Sequence, residues 1–198
     1  MLVTDRQLCH GMSLSEAARQ AVEVGITMVQ LREKDLPAAE QLELGAQVQR
    51  AVQEKALFII NDRVDIAKAL GADGVQLPES GLAVHMARDI LGPQALIGRS
   101  VHSLEGAVAA EQAGADYLIY GPVYATRSHP SVRPAGRLAL QEVAQAVTIP
   151  VLAIGGITAE NIRDVLHAGA AGAAVVSAIF SAAAPKAAAA ELVAKLSA

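Results

Sequence analysis

The feature that most constrains the fold of this chain is an eightfold alternation of short apolar runs with longer segments of helical periodicity. Runs rich in Val, Ile and Leu predict strands, and apolar residues recurring every three to four positions predict helices. The predicted strands are Leu2–Thr4, Met28–Arg32, Leu57–Asn61, Gly74–Leu77, Leu96–Val101, Tyr117–Tyr120, Val151–Ile154 and Ala173–Ser177. The predicted helices are Ser13–Val24, Pro37–Glu54, Val64–Leu70, Leu82–Leu91, Ser103–Ala113, Leu138–Ala146, Ala159–Ala168 and Pro185–Leu196. Eight such units without a break in composition predict one (β/α)8 TIM barrel over residues 1–198, with an open doubly wound sheet as the alternative.

The helix ends carry recognisable signals. Ser13 and Ser103 stand where N-caps are expected, and Ser13 has Glu16 three residues on. Gly71, Gly114 and Gly169 recur before strands, where a left-handed residue ends a helix. These signals place the turns between the units.

Composition excludes several classes of function. The chain has 198 residues, of which 53% are hydrophobic and only 3% aromatic, as expected of a core of Val, Ile, Leu and Ala. A net charge of −4 without a basic run argues against a nucleic-acid partner. The single Cys9 excludes an internal disulfide and predicts a reducing cytoplasm. No apolar stretch approaches the roughly 18 residues that a membrane span needs, so we expect no membrane partner.

Polar residues concentrate at the carboxyl ends of the predicted strands, where TIM barrels place their active sites. Gln30, Arg32 and Lys34 alternate at the end of the second strand and therefore face one side. Inward-facing cations are costly without an anionic partner. Either neighbouring carboxylates neutralise them or they bind a phosphorylated ligand, and two cations on one face favour the ligand.

Asn61 and Asp62 end the third strand. Asp62 could cap the helix that follows, or it could bind Mg²⁺ together with a diphosphate, because Mg²⁺ prefers one or two carboxylates plus phosphate oxygens. The two roles are compatible.

Glycines and a serine end the last two strands. Gly155 and Gly156 follow the seventh strand, and Val176 and Ser177 end the eighth. Backbone N–H groups at these two positions form the usual phosphate site of TIM barrels, and Gly permits a close approach. A plain turn is the alternative.

Two histidines are placed for proton transfer near neutral pH. His102 comes just after the fifth strand, two residues past Ser100, and His129 lies in the long loop 121–136. A loop of this length is often a lid or a binding loop. The alternatives are a histidine bonded to the barrel rim and a solvated loop residue, whereas His85 and His167 fall within helices.

Together these motifs resemble the thiamine phosphate synthase/TenI family of TIM barrels over essentially the whole chain. The segments that carry the resemblance are Val3–Asp5, Gln30–Lys34, Ile60–Asp62, Gly98–His102, Gly121–Val123 and Ile154–Thr158. The resemblance implies that Gln30, Arg32, Lys34, Asn61, Asp62 and Ser100 would hold a pyrimidine diphosphate and its Mg²⁺. It also implies that Gly156 and Ser177 would hold a thiazole phosphate.

The sequence departs from the synthase pattern at two places. Gly81 stands where synthases have a second Mg²⁺-binding Asp, with Glu79 close by, and loop residues Thr126, Arg127, Ser128 and His129 lack the synthase Lys. Both departures favour the TenI branch, whose thiazole tautomerases need a phosphate site and an acid/base but no metal. The tautomerase His is replaced by Pro122 here, so His102 or His129 would be the acid/base, and Ser100 is a further catalytic candidate. Thr126 and Ser128 would bind substrate from the loop.

Three hypotheses follow. The first is a tautomerase-like enzyme acting on thiazole phosphate with no required cofactor. The second is a Mg²⁺-dependent thiamine phosphate synthase that joins hydroxymethylpyrimidine diphosphate to thiazole phosphate and releases diphosphate. The third is an inactive, regulatory binding protein. In each case the partners are small phosphorylated thiazole or pyrimidine ligands, and self-association into a homo-oligomer is expected for a barrel of this size.

Overall fold

Every strand pairs in parallel with the next strand along the chain. The computed structural model describes residues 1–9, 11–126 and 131–196, and its eight strands form one sheet in the order β1 to β8. They are β1 Leu2–Val3, β2 Met28–Leu31, β3 Leu57–Asn61, β4 Gly74–Leu77, β5 Leu96–Val101, β6 Tyr117–Tyr120, β7 Val151–Ile154 and β8 Gly172–Ala174. A parallel bridge between Leu2 and Val175 joins the last strand to the first. The barrel is therefore closed, which confirms the TIM barrel and removes the open-sheet alternative.

Helices follow the strands on the outside of the barrel. They are α1 Leu14–Glu23, α2 Ala38–Val52, α3 Val64–Leu70, α4 Val84–Leu91, α5 Leu104–Gln112, α6 Gly136–Ala146, α7 Ile162–His167, α8 Ser177–Phe180 and α9 Pro185–Leu196, with a 3-10 turn at Arg6–Leu8. The predicted caps are confirmed, because Ser13 Oγ accepts from the N–H of Glu16 and Ser103 Oγ accepts from the N–H of Gly106. No helix in the described ranges is long and apolar enough to cross a membrane.

Some boundaries differ from the prediction for identifiable reasons. The eighth strand ends at Ala174, because Val176 leaves the extended region and Ser177 opens the unpredicted helix α8. The second strand ends at Leu31, because the N–H of Arg32 donates to Thr4 Oγ1 at 2.9 Å instead of to a strand carbonyl. Helix α7 begins at Ile162, since Asn161 bonds the N–H of Thr158 and holds the preceding residues in a loop.

Two apolar layers separate the inside of the barrel from the helix layer. Met1, Val3, Tyr117, Ile119 and Ala174 pack together inside the barrel. A larger cluster, which includes the fully buried Val29, Ile97 and Leu118, lies between the sheet and the helices. Burying each such side chain contributes about 1.5–3 kcal/mol. This strand alternation sends every second residue at a strand end into the mouth of the barrel.

Candidate active site

A layer of amides and a serine crosses the barrel just below its mouth. Gln76 on β4 stands in register with Asn61 on β3, and its Nε2 donates to Ser100 Oγ on β5 at 3.0 Å. Gln76 is only 1% exposed, and its Oε1 has no hydrogen-bond partner in the described part of the chain. Since the amide occupies an acceptor site on Ser100, the hydroxyl proton of Ser100 remains available to donate to a ligand. Gln76 is not among the predicted site residues, although a polar residue within an apolar strand is a usable signal.

The two cations of the Gln30–Lys34 segment have no carboxylate partner in the part of the chain that the structure describes. Gln30 is buried inside the barrel, Arg32 is half-buried, and Lys34 is exposed. No carboxylate in the described ranges lies within ion-pair distance of Arg32 or Lys34. The neighbouring carboxylates Glu33 and Asp35 bind Arg6 instead. Neutralisation by neighbours is therefore not what the structure shows, and an anionic ligand remains the role that suits these cations.

Asp62 presents an exposed carboxylate at the end of β3. Its φ of +63° lies in the left-handed region, and helix α3 has Arg63 at its N-cap position without a side-chain cap bond. The alternative in which Asp62 caps α3 is therefore not what the structure shows, because Arg63 and not Asp62 stands at the N-cap position. A Cβ added at Gly81 would lie 3.2 Å from Asp62 Oδ1, so the residue where synthases carry a second carboxylate does stand beside Asp62.

These residues fit a Mg²⁺ ion that arrives with a phosphorylated substrate. The described residues include no group of three or more His, Cys, Asp or Glu side chains that could hold a metal. One carboxylate is sufficient when substrate phosphates and water complete the octahedron. Asp62 is the residue that would hold such an ion.

The carboxylate of Glu79 contacts the imidazole ring of His102. The Nδ1 of His102 lies 2.8 Å from Glu79 Oε2, and the guanidinium of Arg99 donates to the carbonyls of Leu82 and Glu79 at 2.7 Å each. Arg99 thus ties the β4–α4 loop to β5 and holds Glu79 at the rim. With 55% of its side chain exposed, His102 matches the rim-bonded alternative, and a catalytic role for it stays a prediction.

The glycine pair after β7 packs against the loop after β6. Gly155 and Gly156 have φ of +98° and +64°, and a Cβ would lie 2.5 Å from Pro122 Cβ at the first and 2.4 Å from the Ala125 carbonyl oxygen at the second. Only glycine fits such contacts. The N–H groups of Gly156, Val176 and Ser177 make no hydrogen bond in the part of the chain that the structure describes, whereas Gly155 directly follows Ile154, which pairs with Ala174 on β8. Three such N–H donors at two adjacent strand ends suit a phosphate group.

The loop 121–136 is described only at its two ends. Its ends are joined, because the N–H groups of Ala135 and Gly136 donate to the carbonyls of Pro122 and Val123 at 2.9 and 3.1 Å. Thr126 is half-buried at the edge of the described part. The predicted roles of Ser128 and His129 lie outside the described residues, so both stay predictions.

The remaining described histidines lie away from the mouth. His85 is exposed on α4, and His167 is exposed on α7, where it lines a cleft of about 290 Å³ between α6 and α7. Neither is near the strand ends, which agrees with their expected place in helices.

The described part of the chain is a closed TIM barrel, with two cations after β2 that have no carboxylate partner there and with N–H groups after β7 and β8 that suit an anion. A family model described as thiamine monophosphate synthase matches residues 1–179. The chain belongs to this family, the thiamine phosphate synthase/TenI family, as its motifs predicted.

Curated relatives extend the likeness over nearly the whole chain. The chain is 46% identical over 192 residues to a thiamine-phosphate synthase of Pyrococcus abyssi, covering 96% of this chain and 91% of the relative. It is 45% identical to one of Haloarcula marismortui, covering 95% and 92%. A solved structure titled thiamine phosphate pyrophosphorylase, from Pyrococcus furiosus, is 41% identical with a TM-score of 0.91 and covers 99% of this chain and 94% of that one. These findings support the synthase alternative better than the tautomerase that the sequence analysis placed first.

Proposed function

We propose that this protein is a thiamine phosphate synthase that joins hydroxymethylpyrimidine diphosphate to thiazole phosphate and releases diphosphate. The observation that carries the proposal is the presence of two separate candidate anion sites. One is Arg32 and Lys34 after β2, which have no carboxylate partner in the described ranges, and the other is the set of N–H groups after β7 and β8. A reaction between two phosphorylated substrates needs both, whereas a tautomerase acting on thiazole phosphate needs one. The named relatives support the same reading.

On this proposal, the first site binds the diphosphate and the pyrimidine. Arg32 and Lys34 hold the diphosphate by charge-assisted hydrogen bonds, and Gln30, Asn61 and Ser100 present polar groups to the pyrimidine. Asp62 would hold a Mg²⁺ ion, which when bound would neutralise part of the diphosphate charge. The second site, at Gly155, Gly156, Val176 and Ser177, binds the thiazole phosphate, with the N–H groups of the last three residues as its donors.

The reaction then needs positioning more than proton transfer. The bond between the pyrimidine methylene carbon and the diphosphate oxygen breaks, and its electron pair leaves with the diphosphate. The lone pair of the thiazole nitrogen forms the new carbon–nitrogen bond to the resulting cation. Arg32 and Lys34 stabilise the charge that develops on the leaving diphosphate, and the second site holds the thiazole nitrogen in line. Thr126 and the predicted Ser128 and His129 would cover the substrates from the loop.

A turnover assay tests the proposal. Purified protein with both substrates and Mg²⁺ should release diphosphate and form thiamine phosphate in equal amounts, and chelation of Mg²⁺ should stop both. Metal-independent conversion of a carboxythiazole phosphate alone, lost on His102→Ala, would instead establish the tautomerase. Retention of thiazole phosphate with no turnover of either kind would establish a binding protein.

We also infer two properties of the protein in the cell. The single cysteine supports a reducing cytoplasm, and the size of the barrel supports self-association. Both stay predictions.

A further inference from the structure

Four consecutive residues after the end of β2 alternate between positive and negative charge, and the positive side chains differ from the negative ones in their partners. Residues 32 to 35 read Arg32, Glu33, Lys34 and Asp35. Both carboxylates are bound by Arg6, from the loop after β1, whereas both cations are left without a carboxylate partner in the described ranges. Ion pairs between sequence neighbours would instead have neutralised Arg32 and Lys34. One arginine therefore separates the negative charges of this segment from the positive ones.

The contacts of Arg6 with the two carboxylates are specific. Its guanidinium reaches Asp35 with two parallel bonds, from Nη1 to Oδ1 at 2.6 Å and from Nη2 to Oδ2 at 2.7 Å. Nη1 also donates to Glu33 Oε2 at 3.1 Å. Such a planar fork is the geometry that a guanidinium supplies and an ammonium does not. In keeping with this, Arg6 lowers the pKa of the Asp35 carboxyl to about 2.

Several further hydrogen bonds hold Glu33 in place. Its Oε1 accepts from Thr4 Oγ1 at 2.7 Å and from the N–H of Arg6 at 3.1 Å. Thr4 Oγ1 in turn accepts from the N–H of Arg32, and the carbonyl of Glu33 accepts from Gln41. The Glu33 side chain is only 2% exposed, so its charge depends on these partners. The same contacts fix the backbone on either side of Glu33, where Arg32 and Lys34 stand.

We propose that Arg6 is a positioning residue for the anion site: by binding Glu33 and Asp35 it keeps the two carboxylates that flank Lys34 away from the diphosphate that Arg32 and Lys34 bind. The inference rests on the proposed function, because it concerns the same diphosphate site. Without Arg6, two uncompensated carboxylates stand beside Lys34, where they repel the diphosphate and compete for the ammonium group. The resulting loss of diphosphate affinity is electrostatic, so added salt should reduce it.

The test measures binding of inorganic diphosphate in the presence of Mg²⁺ by titration calorimetry at low and at high ionic strength. Arg6→Gln should weaken binding by about tenfold at low salt, and the difference from the wild type should shrink at high salt. Adding Glu33→Gln and Asp35→Asn to Arg6→Gln should restore most of the affinity, since neutral amides neither repel the anion nor compete for Lys34. Arg19→Gln is the matched control, because Arg19 also contacts two carboxylates, Glu16 and Glu23, but on helix α1.

A second variant keeps the test decisive if Arg6→Gln does not fold. Arg6→Lys retains a positive charge but cannot bind Asp35 through two nitrogens, so it should weaken diphosphate binding several-fold, and Asp35→Asn should reverse that loss. Thermal unfolding of each variant separates binding from folding.

The outcomes distinguish this inference from the proposed function. If the wild type does not bind diphosphate, both are overturned. If the wild type binds it and Lys34→Gln does not, while Arg6→Gln and Arg6→Lys bind normally, only the role of Arg6 is overturned. A loss that salt does not change and that neutralising Glu33 and Asp35 does not reverse would also overturn it, because it would show a purely structural role.

Discussion

At the scale of single residues, the site depends on which polar groups are left unpaired. Strand alternation predicts which side chains face the mouth, but it does not predict their partners. Glu33 and Lys34 are neighbours in sequence, yet Glu33 is bound to Arg6, whereas Lys34 has no carboxylate partner in the described ranges. Which ion pairs form depends on distances across the barrel rim, between loops that follow different strands.

For the single residue Asp62 we predict an effect on the Mg²⁺ requirement. Asp62→Asn should raise the Mg²⁺ concentration needed for half-maximal synthase activity by about tenfold or more, because Mg²⁺ binding relies on carboxylate charge. Folding should be little changed, since Asn tolerates the left-handed backbone that Asp62 adopts. Activity measured against Mg²⁺ concentration and thermal unfolding check the two parts.

Asp65→Asn is the control for this experiment. Asp65 is an exposed carboxylate three residues further on, paired with Arg63. An equal change in the Mg²⁺ requirement of both variants would contradict a specific role for Asp62.

At the scale of elements, the loops after β6 and β7 form one packed unit. The contact depends on Gly155 and Gly156, whose missing Cβ atoms make room for Pro122 and for the Ala125 carbonyl. The chain also offers a glycine with a similar backbone and no such contact. Gly71 has φ +58° against +64° for Gly156, with nothing within 4 Å of an added Cβ.

Gly71 and Gly156 allow the same substitution to be compared at two glycines with similar backbones, one without and one with a close contact. Gly71→Ala should lower the free energy of unfolding by about 1 kcal/mol, which is the cost of a side chain in the left-handed region. Gly156→Ala should lower it by about 3 kcal/mol and raise the KM for thiazole phosphate, because the Ala125 carbonyl must move. Urea unfolding and steady-state kinetics measure both quantities. Equal losses of stability with an unchanged KM would show that the two loops do not act as a unit.

Element type and order could be read from the sequence, because eight apolar runs and their helical partners carry strong periodicity. The helix α8 could not, since a single turn after β8 has too few residues to show a period. Gln30, Arg32, Asn61 and Ser100 could be predicted as candidate site residues, because strand ends converge in a barrel. The contact of Gln76 with Ser100 and the ion pairs of Arg6 could not be predicted, because they join residues on different strands and loops.

At the scale of the whole molecule, the proposed site draws on β2, β3, β5, β7 and β8, which all belong to one closed sheet. No strand can leave that sheet without breaking the ladder on both sides. A ligand that bridges these strand ends should therefore stabilise the entire barrel against unfolding rather than one loop.

The size of this stabilisation follows from mass action. Diphosphate with Mg²⁺ at about 100 times its dissociation constant should stabilise the protein by about 2.7 kcal/mol. For a chain of this length that corresponds to a rise in Tm of about 5–10 °C. A single thermal transition by circular dichroism should move as a whole, and Lys34→Gln should abolish the rise. Two transitions, only one of them moved by the ligand, would show instead that the site belongs to a part of the barrel that unfolds separately.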